Sequence, residues 1–251
     1  MKAILLAAGR GSRLGTATDT HPKCYVSLHG RPLVRWQIEA LTAAGIGEIA
    51  VVRGYLADFW DRQELPVSRF FTNDRWQQTN MVASLACADD WLAAAPCVVS
   101  YTDIVYSPGS VRRLMAAPGD IAITYDPNWL SLWSRRFADP LDDAETFRVD
   151  ARGRLVEIGA RPKSLAEVEG QYMGLLRLTP AGWRTVTDYL GGLPAAEADR
   201  LDMTGLLSRL LSRGVEIQAV PIADPWCEVD QPSDLTVAER IFSPAGGIVG
   251  R

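Results

Sequence analysis

The feature that most constrains the fold is the junction between an apolar run and a glycine-rich loop near the start of the chain. Residues 2–8 are apolar enough to form a buried strand, and glycines follow at positions 9, 11 and 15. Arg10, Arg13 and Lys23 add positive charge to the same stretch. Glycine lets a backbone approach a ligand closely, so that successive N–H groups point at one anion. The junction therefore predicts a strand leading into a phosphate-binding loop; an ordinary basic surface loop is the plainer alternative.

Strand and helix patterns alternate through the first half of the chain. This alternation predicts an α/β fold, a Rossmann-like, mostly parallel mixed sheet flanked by helices. Ligands of such sheets bind beyond the carboxyl ends of the strands, where both the glycine loop and Asp103 fall. The strand patterns lie at residues 48–54, 67–73, 96–103 and 119–126, and the helix patterns at 33–41 and 81–94.

The second half is less regular. Residues 145–159 carry two alternating runs around a turn and predict a β-hairpin. Residues 170–180 predict a further strand, and residues 201–214 an amphipathic helix that ends at a glycine. No linker or repeat divides the sequence, so we expect one domain over residues 1–251, with residues 127–175 forming a flap over the sheet edge.

Composition excludes several classes of protein. The net charge of -4 argues against a dedicated nucleic-acid binder. No apolar run is long enough for a membrane helix, and the first apolar run stops at Gly9 without a signal-peptide cleavage site, so we expect a cytoplasmic protein. Four separated cysteines and two histidines give little from which to build a zinc site or a Ser-His pair. The oligomeric state stays open, a homodimer included.

Two familiar phosphate motifs do not fit the glycine loop. Leu14 stands where the P-loop and the dinucleotide fingerprint each require a further glycine. The dinucleotide motif also requires an acidic residue at the end of the second strand, and Arg53 stands there instead. A nicotinamide-binding function is therefore disfavoured.

The run "LAAGRGSRLG…HPKCYVSLHGRPLVRWQIEAL" resembles the nucleotidyltransferase superfamily that activates sugar phosphates. Later blocks resemble its phosphocholine and phosphonate cytidylyltransferase branch, and the likeness extends from residue 3 to about residue 240. These blocks are "TNMVASL", "SYTDIVYS", "DPLDDAETFRVD", "RPKSLAEVEGQYMGLL" and "PWCEVDQPSDL".

The resemblance implies transfer of CMP from CTP to a small phosphate or phosphonate, with release of pyrophosphate. The acceptor would be of the phosphocholine, 2-aminoethylphosphonate or 2-hydroxyethylphosphonate type. A phosphomonoester has a second pKa of about 6, so its oxygen is already an anion near neutral pH and needs no general base. Two alternatives stay open: a sugar-1-phosphate nucleotidylyltransferase that uses another nucleotide, and a non-catalytic nucleotide-binding protein.

The resemblance also implies roles for single residues. Arg13 and Lys23 would be catalytic, Arg13 at the pyrophosphate and Lys23 at the α-phosphate. Asp103 and Asp230 would bind Mg2+, although an aspartate after a strand is often only a turn or cap residue. The nucleotide would be bound by Ala7, Ala8, Gly9, Gly11, Thr79 and Asn80; Thr79 and Asn80 could instead cap a helix.

The acceptor end is expected in the flap and its neighbouring segments. Aromatic rings there could stack around a quaternary ammonium group, while basic side chains would hold the phosphate or phosphonate. Trp129 and Trp133, four residues apart, could equally pack the inner face of one helix. The candidate acceptor residues are Trp133, Arg135, Arg136, Lys163, Tyr172 and Glu228, with Glu228 also a candidate third metal ligand.

Overall fold

A central sheet of seven strands organises the protein in the computed structural model, which describes residues 1–243. The strand order is β12-β8-β11-β6-β1-β4-β5, and every pairing is parallel except those of β11, which runs antiparallel to both neighbours. The central strands are β1 (Lys2–Ala7), β4 (Ile49–Arg53), β5 (Arg69–Thr72), β6 (Cys97–Tyr101), β8 (Ile121–Asp126), β11 (Gln171–Leu178) and β12 (Gln218–Pro221).

Three two-stranded ribbons are added to this sheet. The ribbon β7–β13 matters most for function. Its strand β7 follows β6 in the chain, and its strand β13 ends two residues before Asp230. The ribbons are β2 (Ser27–Leu28) with β3 (Arg31–Pro32), β7 (Ile104–Tyr106) with β13 (Trp226–Glu228), and β9 (Phe147–Val149) with β10 (Leu155–Ile158).

Helices cover both faces of the sheet. Helices α1, α4, α5 and α9 pack on one face, and α2, α3, α6 and α8 on the other. The helices are α1 (Leu33–Ala43), α2 (Met81–Ala86), α3 (Asp89–Ala94), α4 (Pro108–Met115), α5 (Trp129–Arg136), α6 (Pro180–Gly191), α7 (Ala195–Arg200), α8 (Met203–Ser212) and α9 (Pro232–Ile241).

Strand β1 shows why two helical layers are needed. Its side chains alternate between the faces, so that Leu5 belongs to one apolar cluster and Ile4 and Leu6 belong to the other. Both Ile4 and Leu5 are fully buried, and burial of a side chain of this size contributes about 1.5–3 kcal/mol. An apolar run buried on both faces is typical of a central parallel strand.

The predicted fold class is confirmed, with one local difference. The helix pattern at residues 81–94 forms two helices, because Ala88 leaves helical geometry and Asp89 and Asp90 begin a new first turn, where acidic residues are favourable. The hairpin predicted at residues 145–159 is present, with Gly153 at a positive φ in its turn. The four cysteines are free.

The predicted flap, residues 127–175, contains α5, the β9–β10 hairpin and the first residues of β11. Its final part therefore belongs to the central sheet, and its role as a moving cover stays a prediction. Within residues 1–243, no helix has the length and apolar character required to cross a membrane.

Candidate active site

The glycine loop leaves the carboxyl end of β1 and continues into a 3-10 helix, Ser12–Thr18. Gly11 begins this turn with a φ of 68°, in the left-handed region that favours glycine. A Cβ atom at Gly11 would lie 2.6 Å from Cδ and 2.8 Å from Cβ of Lys23. Gly11 is therefore required for the Lys23 side chain to pack against the loop.

Lys23 lies between two aspartates that are far apart in the sequence. Its Nζ donates to Oδ2 of Asp103 at 2.9 Å and to Oδ1 of Asp230 at 2.6 Å. The guanidinium of Arg13 also contacts Asp230, while 71% of the Arg13 side chain is exposed. Lys23 itself is only 8% exposed. The predicted pair of cations and the predicted pair of carboxylates thus form one connected cluster.

The β7–β13 ribbon brings the two aspartates together. Glu228 pairs with Ile104 in this ribbon, and the N–H of Val229 donates to the carbonyl of Asp103 at 2.7 Å. Asp103 precedes β7 and Asp230 lies two residues beyond β13. The antiparallel pairing therefore converts a separation of more than a hundred residues in the chain into a direct contact around Lys23.

The turn at Asp103 is also held from beneath by Gln37 of α1. The fully buried Gln37 donates through Nε2 to the carbonyls of Tyr101 at 2.9 Å and Ile104 at 2.6 Å. The hydroxyl of Thr102 donates to the carbonyl of Leu6 at the end of β1. These hydrogen bonds fix the backbone on either side of Asp103, since buried polar groups are costly when unpaired.

Asp230 is held by the beginning of α9. Oδ2 of Asp234 accepts hydrogen bonds from the backbone N–H groups of Asp230 at 2.9 Å and Gln231 at 3.1 Å. Arg136 of α5 donates to both carboxylate oxygens of Asp234, and both side chains are completely buried. Burial lowers the pKa of Arg136, but the charges of Glu228 and Asp234 outweigh it and raise that pKa above its ordinary value.

A cavity of about 280 Å3 opens between the glycine loop, β6 and the start of α2; we call it the first cavity. Tyr101, Thr102 and Met81 form part of its wall. Six of the predicted site residues line it: Gly9, Gly11, Arg13, Lys23, Asp103 and Asp230.

A second cavity, also of about 280 Å3, adjoins the first and shares Arg13 and Tyr101 with it. Burial raises the pKa of Tyr101 and of Tyr172 well above the ordinary value, so both hydroxyls stay protonated at neutral pH and neither is a base. The wall of this second cavity carries the carboxylates Asp143, Glu145, Asp202 and Glu228 and the aromatic residues Tyr101, Trp133, Tyr172 and Trp226.

The two predicted nucleotide residues before α2 do not line the first cavity. Asn80 caps α2, since its Oδ1 accepts from the N–H of Met81 at 2.8 Å. The hydroxyl of Thr79 donates to the carbonyl of Arg75 and accepts from Asn73. Both side chains are therefore engaged in local hydrogen bonds. Asn80 has the helix-capping role that the sequence analysis gave as the alternative to nucleotide binding. Ala7 and Ala8 are buried beneath the loop.

Three of the six acceptor candidates, Trp133, Tyr172 and Glu228, line the second cavity, and the three basic ones do not. Arg136 forms buried ion pairs with Glu228 and Asp234, and a role at the acceptor stays a prediction for all three basic candidates. Arg135 is exposed and lines a separate, smaller cavity beside α5. Lys163 is exposed, and its backbone N–H donates to Glu167. The neighbouring Arg135 and Arg136 therefore lie in different surroundings in the folded protein, one exposed and one buried. Their spacing in the sequence did not predict this difference.

Sequence reasoning missed several residues of the second cavity. Asp143 and Glu145 stand in the quoted block "DPLDDAETFRVD", and Asp202 stands at the beginning of the predicted helix at 201–214. The acidic cluster before β9 was a local signal that could have been used. Gln171 and Thr204 carry no such signal, because only tertiary contacts bring them to the wall.

The donor set around Lys23 suits Mg2+. Asp103 and Asp230 present carboxylate oxygens on one cavity wall, and Oδ1 of Asp103 is buried without a hydrogen-bond partner. Within the described residues, no group of three or more His, Cys, Asp or Glu side chains is arranged to hold a metal ion. Two carboxylates completed by substrate phosphates are a common magnesium arrangement in proteins. The magnesium site stays a prediction.

Known proteins resemble this chain over most of its length. It is 36% identical to the CTP:phosphoglutamine cytidylyltransferase of Campylobacter jejuni, over 94% of this chain and 98% of that protein. It is 28% identical to the 2-aminoethylphosphonate cytidylyltransferase of Lancefieldella rimae, over 62% of this chain and 60% of that protein. Both relatives carry the name of the enzyme class that the motifs predict.

A solved structure shares the fold. The inositol-1-phosphate CTP transferase from T. maritima superposes with a TM-score of 0.74 at 19% identity, covering 93% of this chain and 90% of that one. The MobA-like NTP transferase domain matches residues 3–157, which contain the glycine loop, Lys23 and Asp103. The predicted resemblance is confirmed, and the chain belongs to the MobA-like NTP transferase domain family of nucleotidyltransferases.

Proposed function

We propose that the protein is a Mg2+-dependent cytidylyltransferase that transfers CMP from CTP to a small phosphate or phosphonate and releases pyrophosphate. One observation carries the proposal: Lys23 joins Asp103 and Asp230 on the wall of the first cavity, below the glycine loop. Cations and carboxylates of this kind are what a reaction between two phosphate anions requires.

Cytidine as the nucleoside is supported by the relatives rather than by the residues. The relatives from Campylobacter jejuni and Lancefieldella rimae are both named as cytidylyltransferases. Their named acceptors, phosphoglutamine and 2-aminoethylphosphonate, are small molecules that carry a phosphoryl or phosphonyl group. We extend this donor and this acceptor class to the present chain as part of the proposal.

In this proposal the first cavity binds the triphosphate. Gly9 and Gly11 border it without side chains, so that backbone N–H groups can face phosphate oxygens. Arg13 offers a planar guanidinium to the pyrophosphate as it leaves. Lys23 neutralises charge at the α-phosphate, and its fixed place against Gly11 means that little reorganisation is needed during the reaction.

Asp103 and Asp230 would hold the magnesium ion together with phosphate oxygens. When bound, Mg2+ neutralises negative charge on the phosphates and orients them. Lys23 contacts the same two carboxylates, so its Nζ lies close to the phosphate that the ion would contact. The residues therefore supply the charge neutralisation that lets one anion approach another.

The acceptor enters from the second cavity, which meets the first at Arg13 and Tyr101. Its phosphate or phosphonate oxygen is already charged near neutral pH and attacks without a general base. Tyr101 at the junction and Tyr172 in the second cavity agree with this, because burial raises the pKa of both hydroxyls and neither could remove a proton at that pH. The second cavity thus serves to bind and orient the acceptor.

The test is a pyrophosphate-release screen with Mg2+ and each of the four nucleoside triphosphates. Each is paired with phosphocholine, 2-aminoethylphosphonate, 2-hydroxyethylphosphonate, phosphoglutamine and sugar 1-phosphates. We expect release with CTP and at least one small phosphate or phosphonate. Release only with UTP or dTTP and a sugar 1-phosphate would contradict the proposed branch, and no release with any pair would favour a nucleotide-binding protein without turnover.

A further inference from the structure

The second cavity carries an excess of negative charge. Four carboxylates line it, and Arg13, already in contact with Asp230, is the one cationic residue of its wall within residues 1–243. Glu228 is paired with Arg136 at 2.8 Å. In the same described part of the chain, no lysine or arginine forms an ion pair with Asp143, Glu145 or Asp202. Uncompensated charge is costly at the half-buried Asp143 and Glu145, and a positively charged ligand would offset it.

Glu145 and Asp143 are half-buried, while Asp202 is exposed and caps α8 through its Oδ1. Oε1 of Glu145 accepts a hydrogen bond from the hydroxyl of Thr204 at 3.2 Å. Gln171 accepts from the backbone N–H of Glu145 and donates to its carbonyl at 2.6 Å. Burial raises the pKa of Glu145, and the neighbouring charges of Asp202, Asp143 and Glu228 raise it further. The fold therefore holds Glu145 rigidly in an unfavourable electrostatic position.

A second observation also points to a ligand. Trp133 is 3% exposed and lines the same cavity, and its Nε1 is buried with no hydrogen-bond partner in the described residues. Buried indole N–H groups usually find a partner. A polar small molecule in the cavity could supply an acceptor for it. The wall thus offers carboxylate acceptors and an unused donor to one bound molecule.

An organic cation fits this wall better than a bare metal ion, because an organic molecule can also carry an acceptor for the unpartnered Trp133 N–H, and a metal ion cannot. The aromatic faces are already in use. The Arg136 guanidinium lies 4.9 Å from the centre of the Trp133 ring, and Tyr101 and Tyr172 pack edge to face. Trp226, the fourth aromatic residue of this wall, packs against Trp133 with 5.9 Å between the ring centres. The aromatic rings of the wall thus contact one another or Arg136, and this disfavours the open cage that a trimethylammonium group prefers.

We propose that the second cavity binds the ammonium group of the acceptor through Glu145 and Asp202, and that it selects a primary amine over a trimethylammonium group. This inference rests on the proposed function for its acceptor. A primary ammonium has three N–H donors for the carboxylate oxygens. A trimethylammonium group has none, so it would desolvate the carboxylates without replacing their hydrogen bonds to water.

Two matched pairs of acceptors test the selection. The pair 2-aminoethylphosphonate and 2-hydroxyethylphosphonate differs only in the ammonium group. The pair phosphoethanolamine and phosphocholine differs only in three methyl groups. We expect kcat/KM for CMP transfer to favour the first member of each pair by at least about 10-fold. Equal values, or a preference for the second member of either pair, would overturn the inference.

The variant Glu145→Gln tests the assigned residue. Gln keeps the size and an oxygen for Thr204 but removes the charge, so we expect the ratio of kcat/KM for 2-aminoethylphosphonate over 2-hydroxyethylphosphonate to fall about 10-fold. Glu239→Gln makes the same chemical change on an exposed part of α9 and should leave the ratio as it is. An unchanged ratio in Glu145→Gln would remove Glu145 from the proposed site.

Two further measurements keep the outcome clear. If Glu145→Gln does not fold by circular dichroism, Asp202→Asn replaces it, because asparagine preserves the cap at the start of α8. Calorimetric titration of phosphoethanolamine and phosphocholine without CTP separates the two proposals. Preferential binding of phosphoethanolamine without any CMP transfer would support this inference and contradict the proposed function. CMP transfer without preference would do the reverse.

Discussion

At the scale of single residues, the contact between Gly11 and Lys23 links the glycine loop to the charged cluster. The loop could bind phosphate through its backbone alone, as many glycine loops do. Here the absent side chain of Gly11 also leaves room for the Lys23 stem, which then reaches Asp103 and Asp230. A substitution at Gly11 therefore tests the position of Lys23 without changing Lys23 itself.

We expect Gly11→Ala to lower turnover by about 10²-fold, because a new Cβ 2.6 Å from the Lys23 side chain must displace it. Gly30→Ala is the control: Gly30 also has a positive φ, but a Cβ there meets nothing within 4 Å. Both variants should lose about 1–2 kcal/mol of unfolding free energy from backbone strain, measured in urea. Turnover of Gly11→Ala equal to that of Gly30→Ala would contradict the role of this contact.

Glu145 gives a prediction about stability and pH. Burial and the nearby carboxylates raise its pKa in the folded protein, so the folded state binds more protons than the unfolded state between the ordinary value of 4.5 and the raised one. Stability from this group is therefore lost as the pH rises through that window. Glu145→Gln should raise Tm by about 2–4 °C at pH 7.5, and the gain should vanish near pH 4.5.

Calorimetry of Glu145→Gln and the parent protein across that pH range measures the difference in Tm between them. The contributions of titrating groups that both proteins share cancel in this difference. A gain that does not depend on pH would show that the effect comes from packing and not from charge. A loss of Tm at pH 7.5 would show that Glu145 is compensated in the folded protein, and would weaken the case for a cationic ligand.

Residues with a local signal could be predicted from the sequence. Lys23 stands in the Pro-Lys pair after the glycine loop, Asp103 ends a buried strand pattern, and Asp230 lies in the block "PWCEVDQPSDL". Residue type and spacing therefore indicated all three. Arg136 had the same basic character as Arg135 but is buried against Asp234. Its role depends on which side of α5 meets α9, and that is decided by tertiary packing and not by the residue type.

At the scale of elements, α5 and α9 are joined by the Arg136–Asp234 pair directly behind Asp230. Arg136→Lys keeps the charge but loses the two-pronged geometry, so we expect a loss of about 1–3 kcal/mol in unfolding free energy. Turnover should fall about 10-fold, because Asp234 also fixes the backbone N–H of Asp230.

The neighbouring Arg135 provides the control for that variant. Arg135→Lys makes the identical change one residue earlier on an exposed side chain, and it should alter unfolding free energy by less than about 0.5 kcal/mol. Urea unfolding and initial-rate measurements on the two variants decide the matter. If Arg136→Lys is as stable and as active as Arg135→Lys, the buried pair does not position Asp230.

The elements themselves were predictable where their patterns are strong. Buried runs such as β1 and β6 carry a clear strand signal, and the alternation with helices indicated the sheet. The antiparallel direction of β11 follows from where the hairpin and helix before it return the chain, which no local pattern encodes. The run that contains β13 had a strand-like pattern, but β7 and its pairing with β13 were missed, because three-residue strands have little periodicity and pair only through the tertiary fold.

At the scale of the whole molecule, the two cavities meet at a shared wall. Arg13 and Tyr101 belong to both, and in the proposed function this would place a donor in the first cavity next to an acceptor in the second. The four cysteines are buried or half-buried, and the described residues place neither a cysteine nor a histidine on either cavity wall. With the two cavities side by side, the proposed function predicts direct transfer between two bound substrates rather than through a covalent enzyme intermediate.

Direct transfer has a kinetic consequence. Initial rates measured over a grid of CTP and acceptor concentrations should give intersecting lines in double-reciprocal plots, since both substrates must be bound before CMP moves. Incubation with CTP labelled in its α-phosphate, without acceptor, should leave no label on the denatured protein. Parallel lines together with labelled protein would instead indicate that a side chain carries CMP between the substrates. That result would require the two cavities to act in turn, and their common wall would then have no role in bringing the reacting phosphates together.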